Sequence, residues 1–273
     1  MIPLFKVFMA EEAKESVSDV LTSGYIGQGP KVEEFEEKLI DFLHVPRLLT
    51  TNSGTSALQL AVTLSGVLPG DEVISTPMTC SATNTAIVSQ GATIVWADID
   101  PDTGNIDPNS VEGILKRRSN SGPMPKAIMC VHWGGYPCDM KALMDIGQKY
   151  GIKVIEDAAH AFGAFYKNEY IGNHGDFVCF SFQAIKHLTS VDGGALVCKD
   201  LKDHNRGKLL RWYGIDREGE RSDFRCEADI TEAGWKYHMN DVCAAVGIAN
   251  LREIDWVLDR HKKYGQIYDE ELR

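Results

Sequence analysis

The sequence predicts an α/β fold in which a largely parallel sheet is covered by helices on both faces. Short apolar runs of strand length recur along the chain, amphipathic stretches separate them, and the runs are continuously apolar rather than alternating. Strands that are buried on both faces are typical of parallel sheets, whose crossover connections are usually helices. We therefore expect a central, mostly parallel sheet of about seven strands.

Seven short runs match buried strands, because β-branched, aromatic and other apolar residues dominate them. They are Arg47–Thr51, Glu72–Ser75, Thr93–Ala97, Ala127–Val131, Lys153–Ile155, Phe177–Phe182 and Ala195–Cys198. Between them, the spacing of apolar residues predicts amphipathic helices. These include one with Val32, Phe35, Leu39 and Phe42 on a single face, two over Ser56–Leu64 and Lys141–Tyr150, and one from Asn240 with the stripe Val242, Ala245, Ala249, Leu251 and Ile254.

Composition and charge exclude several classes of protein. The 273-residue chain has 44% hydrophobic and 25% charged residues, which is ordinary for a globular protein. Its net charge of −11 argues against a nucleic acid or an anionic membrane as partner. The seven cysteines are scattered without a CxxC pair, which predicts neither a disulfide framework nor a zinc site. Because the sequence shows neither a signal peptide nor a long apolar run, we expect a cytoplasmic protein.

The segment Tyr213–Gly234 differs from the rest of the chain because it is polar, charged and without periodicity. A loop of this length in a compact domain usually serves as a lid, a binding loop or an interface arm. The sequence leaves these three alternatives open.

An anion site is predicted in NSGTSALQL, Asn52–Leu60, which follows the first strand and opens a helix. Glycine lets the backbone approach a ligand closely, and the free N–H groups of a helix start favour an anion such as phosphate. The same residues would also make an ordinary turn and helix cap. The pattern alone does not separate the two interpretations.

Acidic residues follow another predicted strand, in VIEDAAHAFGA, Val154–Ala164. Glu156 and Asp157 come directly after the apolar pair, and His160 follows three residues later. The carboxyl ends of parallel strands are where α/β proteins bind ligands, so these side chains are candidates for binding or catalysis. A carboxylate that caps the next turn, and a structural histidine, are the alternatives.

A lysine, Lys186, follows the apolar run FVCFSF and precedes Asp192, a Gly-Gly pair and another strand. An isolated lysine is usually a surface residue, but in an apolar pocket its amine has a lowered pKa and can condense with an aldehyde. Pyridoxal phosphate needs a lysine for its aldehyde, a carboxylate for its pyridinium nitrogen and a cradle for its phosphate. The three sites together therefore predict pyridoxal phosphate as the cofactor.

Several segments, taken in order, carry a resemblance to a known family: IPLFKV, SGYIGQGPKVEEFE, TNSGTSAL, VHWGGYPCDM, EDAAHAFGA, SFQAIKHLTSVDGGAL and KYHMNDVCAAVGIANL. They resemble the DegT/DnrJ/EryC1/StrS family of pyridoxal-phosphate-dependent nucleotide-sugar aminotransferases over essentially the whole chain. The nearest subgroup aminates nucleotide-linked 4-keto sugars. The resemblance implies the large domain of an aspartate-aminotransferase-like transferase of fold type I.

The resemblance also implies roles for individual residues. Lys186 would bind the cofactor covalently and serve as the base for the 1,3-proton transfer, while Asp157 would keep the ring nitrogen protonated. His160 would lie against the ring or its 3′-oxygen. The implied phosphate ligands are the N–H groups of Gly54 and Thr55 and the hydroxyl of Ser181.

Two positions depart from the family pattern. An aromatic ring that stacks on the cofactor usually follows Thr79, whereas this chain has Cys80. The segment KYHMND resembles one that reaches into the neighbouring subunit's site, where the phosphate contact is commonly Asn; here it is His238. Both residues remain candidate cofactor contacts, and sites shared in this way imply a homodimer.

The resemblance implies a division of the chain into two parts. Residues 1–240 would form the large cofactor-binding domain with an N-terminal arm. Residues 241–273 would begin the helix that links it to a small C-terminal domain, which is largely missing from this sequence.

The implied function is transfer of an amino group, with glutamate as the donor, to a keto-deoxy sugar carried on a nucleotide, for cell-surface polysaccharide or related glycan synthesis. A cofactor-binding sugar dehydratase is one alternative, but those relatives typically replace the lysine with histidine, so Lys186 argues against it. A non-catalytic binding or regulatory protein, or a truncated fragment of the same fold, is another. A zinc hydrolase built from His132, Cys138, His160 and His174 is disfavoured, because the spacing matches no ligand pattern.

Overall fold

A computed structural model describes residues 6–219 and 230–272, in which helices alternate with strands. The helices are α1 (Ala13–Ser23), α2 (Pro30–Leu43), α3 (Gly54–Leu64), α4 (Ser81–Ser89), α5 (Pro108–Ser121), α6 (Met140–Tyr150), α7 (Leu201–Leu210), α8 (Asp241–Leu251) and α9 (Ile254–Glu271). The strands are β1 (Leu48–Thr51), β2 (Glu72–Ser75), β3 (Thr93–Trp96), β4 (Ala127–Val131), β5 (Lys153–Asp157), β6 (Phe165–Tyr166), β7 (Glu169–Tyr170), β8 (Phe177–Ser181) and β9 (Gly194–Cys198).

Seven of these strands form one sheet in the order β1-β9-β8-β5-β4-β2-β3, while β6 and β7 form a small hairpin. Strand β9 is antiparallel to both of its neighbours, and the other pairings in the sheet are parallel. Six strands therefore point the same way, and their carboxyl ends meet the amino end of β9 at one edge. The prediction of a mostly parallel sheet of about seven strands is confirmed.

The strand boundaries agree with the sequence prediction to within one residue at each end, except at β5 and at the hairpin. The prediction ends β5 at Ile155, but the strand continues through Glu156 and Asp157. These polar residues stay in the strand because β5 lies between two partners, and Asp157 is opposite Val131 on β4 and Cys179 on β8. The hairpin β6–β7 was missed, since strands of two residues show no periodicity.

Helices cover both faces of the sheet, as the continuous apolar strands predict. On one face, Leu49 and Ile155 pack with the apolar residues of α3. On the other face, Leu48 and Val178 pack with α2 and α8, while Val154 packs with α5 and α6. Successive strand residues thus alternate between two buried layers.

A buried carboxylate joins two segments that are distant in the sequence. Asp241 is 1% exposed and begins α8. Its Oδ1 accepts hydrogen bonds from the N–H groups of Gly29 (2.7 Å) and Val32 (3.2 Å), and its Oδ2 accepts one from Lys31 (3.1 Å). Asp241 therefore caps the amino end of α2, where unpaired N–H groups and the helix dipole favour a negative charge.

The polar segment Tyr213–Gly234 is described only at its ends, since residues 220–229, Cys226 among them, lie outside the described residues, as do residues 1–5. Its two ends lie side by side, because the Tyr213 N–H donates to the Trp235 carbonyl (2.9 Å) and the Trp235 N–H donates to the Leu210 carbonyl (2.7 Å). Among the helices described, none is long and apolar enough to span a bilayer.

The cap at α2 gives a stability prediction. In Asp241→Asn one carboxylate oxygen becomes an NH₂ group that faces backbone N–H donors, so at least one buried donor loses its acceptor. We expect the free energy of unfolding to fall by about 2 kcal/mol. Urea denaturation measures this, with Asp41→Asn on the exposed side of α2 as the matched control, expected within about 0.5 kcal/mol of wild type. Equal losses in both variants would contradict the capping role.

Candidate active site

A cavity of about 330 Å³ lies at the edge where the carboxyl ends of the six co-directional strands meet. This volume is within the range of small-molecule binding sites. Seven of the eight candidate site residues line it: Gly54, Thr55, Cys80, Asp157, His160, Ser181 and Lys186. The eighth, His238, does not. The fold therefore brings together residues from four separate segments of the sequence.

The anion cradle predicted in the sequence lies at the start of α3. Ser53 caps the helix by accepting a hydrogen bond from the Ser56 N–H (3.1 Å), so the Gly54 and Thr55 N–H groups of the first turn have no acceptor within the helix. A Cβ on Gly54 would lie 2.8 Å from the Ser181 Cβ, closer than such atoms approach. The glycine thus allows the helix start and the Ser181 hydroxyl to face one small volume, which suits a phosphate group.

Adjacent carboxylates on β5 have different environments because successive side chains point to opposite faces. Glu156 is fully buried; its Oε2 lies 2.7 Å from the His132 Nε2, and its Oε1 accepts from the Gly175 N–H. The His132 Nδ1 accepts from the Cys138 N–H (3.1 Å), so we assign the ring proton to Nε2, which donates to Glu156. Glu156 is therefore paired within the core.

Asp157 faces the cavity and is 5% exposed. Its Oδ1 accepts from the Ala159 N–H (3.1 Å), and its Oδ2 accepts from the Thr83 hydroxyl (2.5 Å). The Thr83 hydroxyl lies 2.6 Å from that of Thr79. The sequence analysis missed Thr83, because nothing in its neighbourhood on α4 indicates a contact with a strand 74 residues later.

Lys186 lies in the turn after β8, where its N–H donates to the Gln183 carbonyl (2.9 Å). The side chain is half-buried, and this burial lowers the pKa of its amine, while the neighbouring Asp157 and Cys80 act in the opposite direction. A lowered pKa leaves more of the amine unprotonated, and the unprotonated form is the nucleophile.

His160 and Cys80 complete the cavity wall. The His160 ring packs at 5.8 Å, centroid to centroid, from that of Trp133. Burial lowers the pKa of His160, the positive charge of Lys186 lowers it further, and Asp157 opposes both, so the neutral imidazole is favoured. Cys80 is exposed at the start of α4 and offers a thiol in place of an aromatic face.

His238 lies outside this cavity, beside Trp212, with the two ring centroids 3.5 Å apart. Burial lowers the pKa of His238 to about 4, and Lys236, Arg217 and Arg211 add to the effect. Its Nδ1 has no hydrogen-bond partner within the described part of the chain. The fold of the single chain therefore does not bring His238 to the residues that surround Lys186.

A residue of α8 that the sequence analysis missed anchors the lysine segment. The Asn250 amide donates to the Thr189 carbonyl (2.8 Å) and accepts from the Ala10 N–H (2.8 Å), and Asn250 is 3% exposed. It thus ties the segment after Lys186 to the N-terminal part of the chain. The spacing of apolar residues on α8 gives no indication of this contact.

The four residues considered for a zinc site do not converge on one point. His132 contacts Cys138 and is paired with Glu156. His160 lies in the cavity, and the His174 Nε2 is 3.6 Å from the Glu169 Oε2. Across residues 6–219 and 230–272, no group of three or more His, Cys, Asp or Glu side chains is placed to hold a metal ion.

The cavity fits pyridoxal phosphate. Its donor set contains an amine with a lowered pKa, a buried carboxylate and an N–H cradle that a single Cβ at Gly54 would fill. These are the groups that the cofactor's aldehyde, ring nitrogen and phosphate require. The fit rests on Lys186, Asp157, Gly54, Thr55 and Ser181.

Comparison with known proteins supports the family that the sequence resembles. The model of the DegT/DnrJ/EryC1/StrS aminotransferase family matches residues 8–273. Spore coat polysaccharide biosynthesis protein SpsC of Bacillus subtilis (strain 168) is 36% identical over 270 residues, 98% of this chain and 68% of the relative. GDP-perosamine synthase of Escherichia coli O157:H7 is 34% identical over 272 residues, 99% of this chain and 71% of the relative.

A solved structure shows the same fold. The sugar aminotransferase CalS13 from Micromonospora echinospora is 37% identical and superposes with a TM-score of 0.90, covering 100% of this chain and 73% of that one. This likeness confirms the predicted fold class, the aspartate-aminotransferase-like arrangement around a mostly parallel sheet.

His187, the residue after Lys186, gives a prediction about how the stability of the protein depends on pH. Burial, with His261, His160 and Lys186 nearby, lowers the pKa of His187 to about 4. An unfolded histidine titrates near about 6.5, so between about 6.5 and 4 the unfolded chain binds a proton that the native chain does not. The stabilisation from neutral His187 is therefore complete above that window and is lost as the pH falls through it.

We expect His187→Asn to weaken this pH dependence by about 1 kcal/mol per pH unit, measured as the free energy of unfolding across the window. His44→Asn, at an exposed position, serves as the control and should follow wild type. Parallel curves for wild type and His187→Asn would show that His187 does not cause the acid sensitivity.

Proposed function

Because the chain belongs to the DegT/DnrJ/EryC1/StrS aminotransferase family, we propose that it uses pyridoxal phosphate to convert the keto group of a nucleotide-linked sugar into an amine. The observation that carries the proposal is the convergence of Lys186, Asp157 and the start of α3 on one cavity. The names of GDP-perosamine synthase and the sugar aminotransferase CalS13 support a nucleotide-linked sugar as the acceptor. The name of SpsC supports a role in polysaccharide synthesis.

The residues that line the cavity would each bind a different part of the cofactor. The Gly54 and Thr55 N–H groups and the Ser181 hydroxyl bind the cofactor phosphate. The Asp157 carboxylate would accept a hydrogen bond from the cofactor's ring nitrogen, and a nearby carboxylate favours the protonated form of that nitrogen. Neutral His160 packs against the cofactor without adding a positive charge.

Lys186 would carry both the covalent and the proton-transfer roles. When bound, the cofactor supplies an electron sink that makes a proton on the adjacent carbon removable. The Lys186 amine would be the base that takes up this proton and returns it at the neighbouring position. Burial favours this use, since it lowers the pKa of the amine.

The overall reaction conserves groups and electrons. An amino acid, for which we propose glutamate, gives up its amino group, takes an oxygen atom from one water molecule and leaves as the 2-keto acid. The keto sugar then takes the same amino group and releases its oxygen as one water molecule. Both halves use one cavity, so we expect ping-pong kinetics. Six cysteines among the described residues have free thiols, which supports a reducing, cytoplasmic setting.

We also propose that the working unit is a homodimer whose sites are shared. His238 lies outside the cavity of its own subunit, on the segment next to Tyr213–Gly234. Tyr25 (71% exposed), Ile26 (53%) and Tyr213 (43%) offer apolar surface that association would cover. In the dimer, His238 would donate to the cofactor phosphate of the neighbouring subunit.

Labelling tests the cofactor lysine. After incubation with pyridoxal phosphate and borohydride reduction, peptide mass mapping should place the phosphopyridoxyl group on Lys186. Lys186→Ala should lose amination of nucleotide keto sugars by several orders of magnitude, because both the covalent and the proton-transfer roles disappear. Lys141→Ala, an exposed lysine of α6, is the control and should keep full activity. A label on another lysine would refute the assignment.

Mixed dimers test the shared site. Lys186→Ala and His238→Ala protomers are each expected to be impaired, but in a heterodimer one of the two sites regains both native residues. Activity should therefore partly return when the two variants exchange subunits. Sedimentation equilibrium checks that the wild type is a dimer. A monomeric wild type would contradict the proposed dimer. No recovery after verified subunit exchange would show that His238 does not contribute to the neighbouring subunit's site.

A further inference from the structure

Two threonine hydroxyls form a chain that ends at Asp157. Thr79 lines the cavity at the start of α4, and Thr83 lies one turn later, fully buried behind Asp157. The Thr79 and Thr83 hydroxyl oxygens are 2.6 Å apart, and the Thr83 hydroxyl oxygen is 2.5 Å from the Asp157 Oδ2. These are the short distances of strong O–H···O hydrogen bonds.

The direction of this chain follows from the number of protons. An ionised carboxylate only accepts, so the single Thr83 proton is directed to Asp157. The short contact between the two threonines must then use the Thr79 proton, which is donated to Thr83. Thr79 thus donates to Thr83 and Thr83 donates to Asp157, and hydrogen bonds arranged in this order strengthen one another.

The helix itself does not need the Thr83 hydroxyl. The Thr83 N–H donates to the Cys80 carbonyl (3.2 Å), while the side-chain oxygen contacts only the other two members of the chain among the described residues. The Ala159 N–H holds the Asp157 Oδ1 (3.1 Å). The two donors together restrict rotation of the carboxylate and leave one lone pair on each oxygen for a ligand.

We propose that Thr83, supported by Thr79, is a positioning residue that orients the Asp157 carboxylate towards the cofactor's ring nitrogen. The inference rests on the proposed function, because the ring nitrogen belongs to the cofactor. Thr83 does not line the cavity, so it acts through Asp157. Its loss should matter for ligands that have a ring nitrogen and not for ligands that lack one.

The test measures dissociation constants, not turnover, for two probes: pyridoxamine phosphate and its 1-deaza analogue, in which a CH group replaces the ring nitrogen. Thr83→Val keeps the shape and removes the hydroxyl, and should weaken binding of pyridoxamine phosphate about tenfold. The same substitution should change binding of the analogue by less than about twofold. Thr83→Ser keeps the donor and should restore the wild-type constant for pyridoxamine phosphate.

Two further variants keep the test decisive. Thr79→Val removes only the supporting donor and should weaken binding of pyridoxamine phosphate by about two- to threefold. If Thr83→Val does not fold, Thr79→Val serves as the test variant in its place. In the Asp157→Asn background, Thr83→Val should have no additional effect on pyridoxamine phosphate, because the group it orients has changed.

The outcomes separate this inference from the proposed function. If the wild type does not bind pyridoxamine phosphate, both are overturned. If it binds and Thr83→Val binds equally well, the inference alone fails. Equal weakening of both probes would show that Thr83 shapes the cavity without acting through the ring nitrogen, and would also overturn the inference.

Discussion

The shared direction of six strands is the constraint on which the rest of this structure depends. Because β1, β2, β4, β5 and β8 all end at one edge, the groups that follow them meet there, including the helix start at Gly54, the carboxylate of Asp157 and the turn with Lys186. The reversed strand β9 begins at the same edge, and a Cβ on its Gly194 would lie 2.6 Å from the Gly54 N. Because neither Gly54 nor Gly194 has a side chain, the two backbone segments can approach each other closely and form the phosphate cradle.

Gathering these groups places a buried carboxylate, Asp157, and a half-buried amine, Lys186, in one cavity. Lys186 and Asp157 carry opposite charges, which offsets part of the cost of burying each. The structure limits the remaining cost differently for each group. Burial lowers the pKa of Lys186 and of His160, which favours their neutral forms, while the Asp157 carboxylate accepts hydrogen bonds from two donors. The lowered pKa that reduces the cost of burying the Lys186 amine also makes this amine a better nucleophile.

Buried polar contacts between distant segments keep this edge in place. Asp241 caps α2, Asn250 holds the backbone after Lys186, and Arg211 donates to Glu36 (2.5 Å) and to the Thr50 carbonyl (2.8 Å). Glu36 in turn accepts from the Thr50 N–H (2.7 Å), next to the strand end that leads into the cradle. Each contact satisfies groups that would be costly to bury alone, so each also fixes one relative position of two elements.

The sequence by itself determined the seven strands of the sheet, the helices on both faces and the candidate site residues Lys186, Asp157 and Gly54. Continuous apolar runs are local patterns, and each of these three residues stands directly after such a run or at the helix start that follows one. The resemblance to the aminotransferase family rested on the same local segments.

The tertiary structure alone shows why Asp157 faces the cavity while the adjacent Glu156 lies in the core, and which polar residues support the site. Glu156 and Asp157 look alike in the sequence, and only the neighbouring strands direct one inwards and the other to the ligand edge. Thr83 reaches Asp157 across 74 residues and Asn250 reaches Ala10 across 240. Such contacts leave no periodic trace, because the residues that form them are neighbours only after the chain has folded.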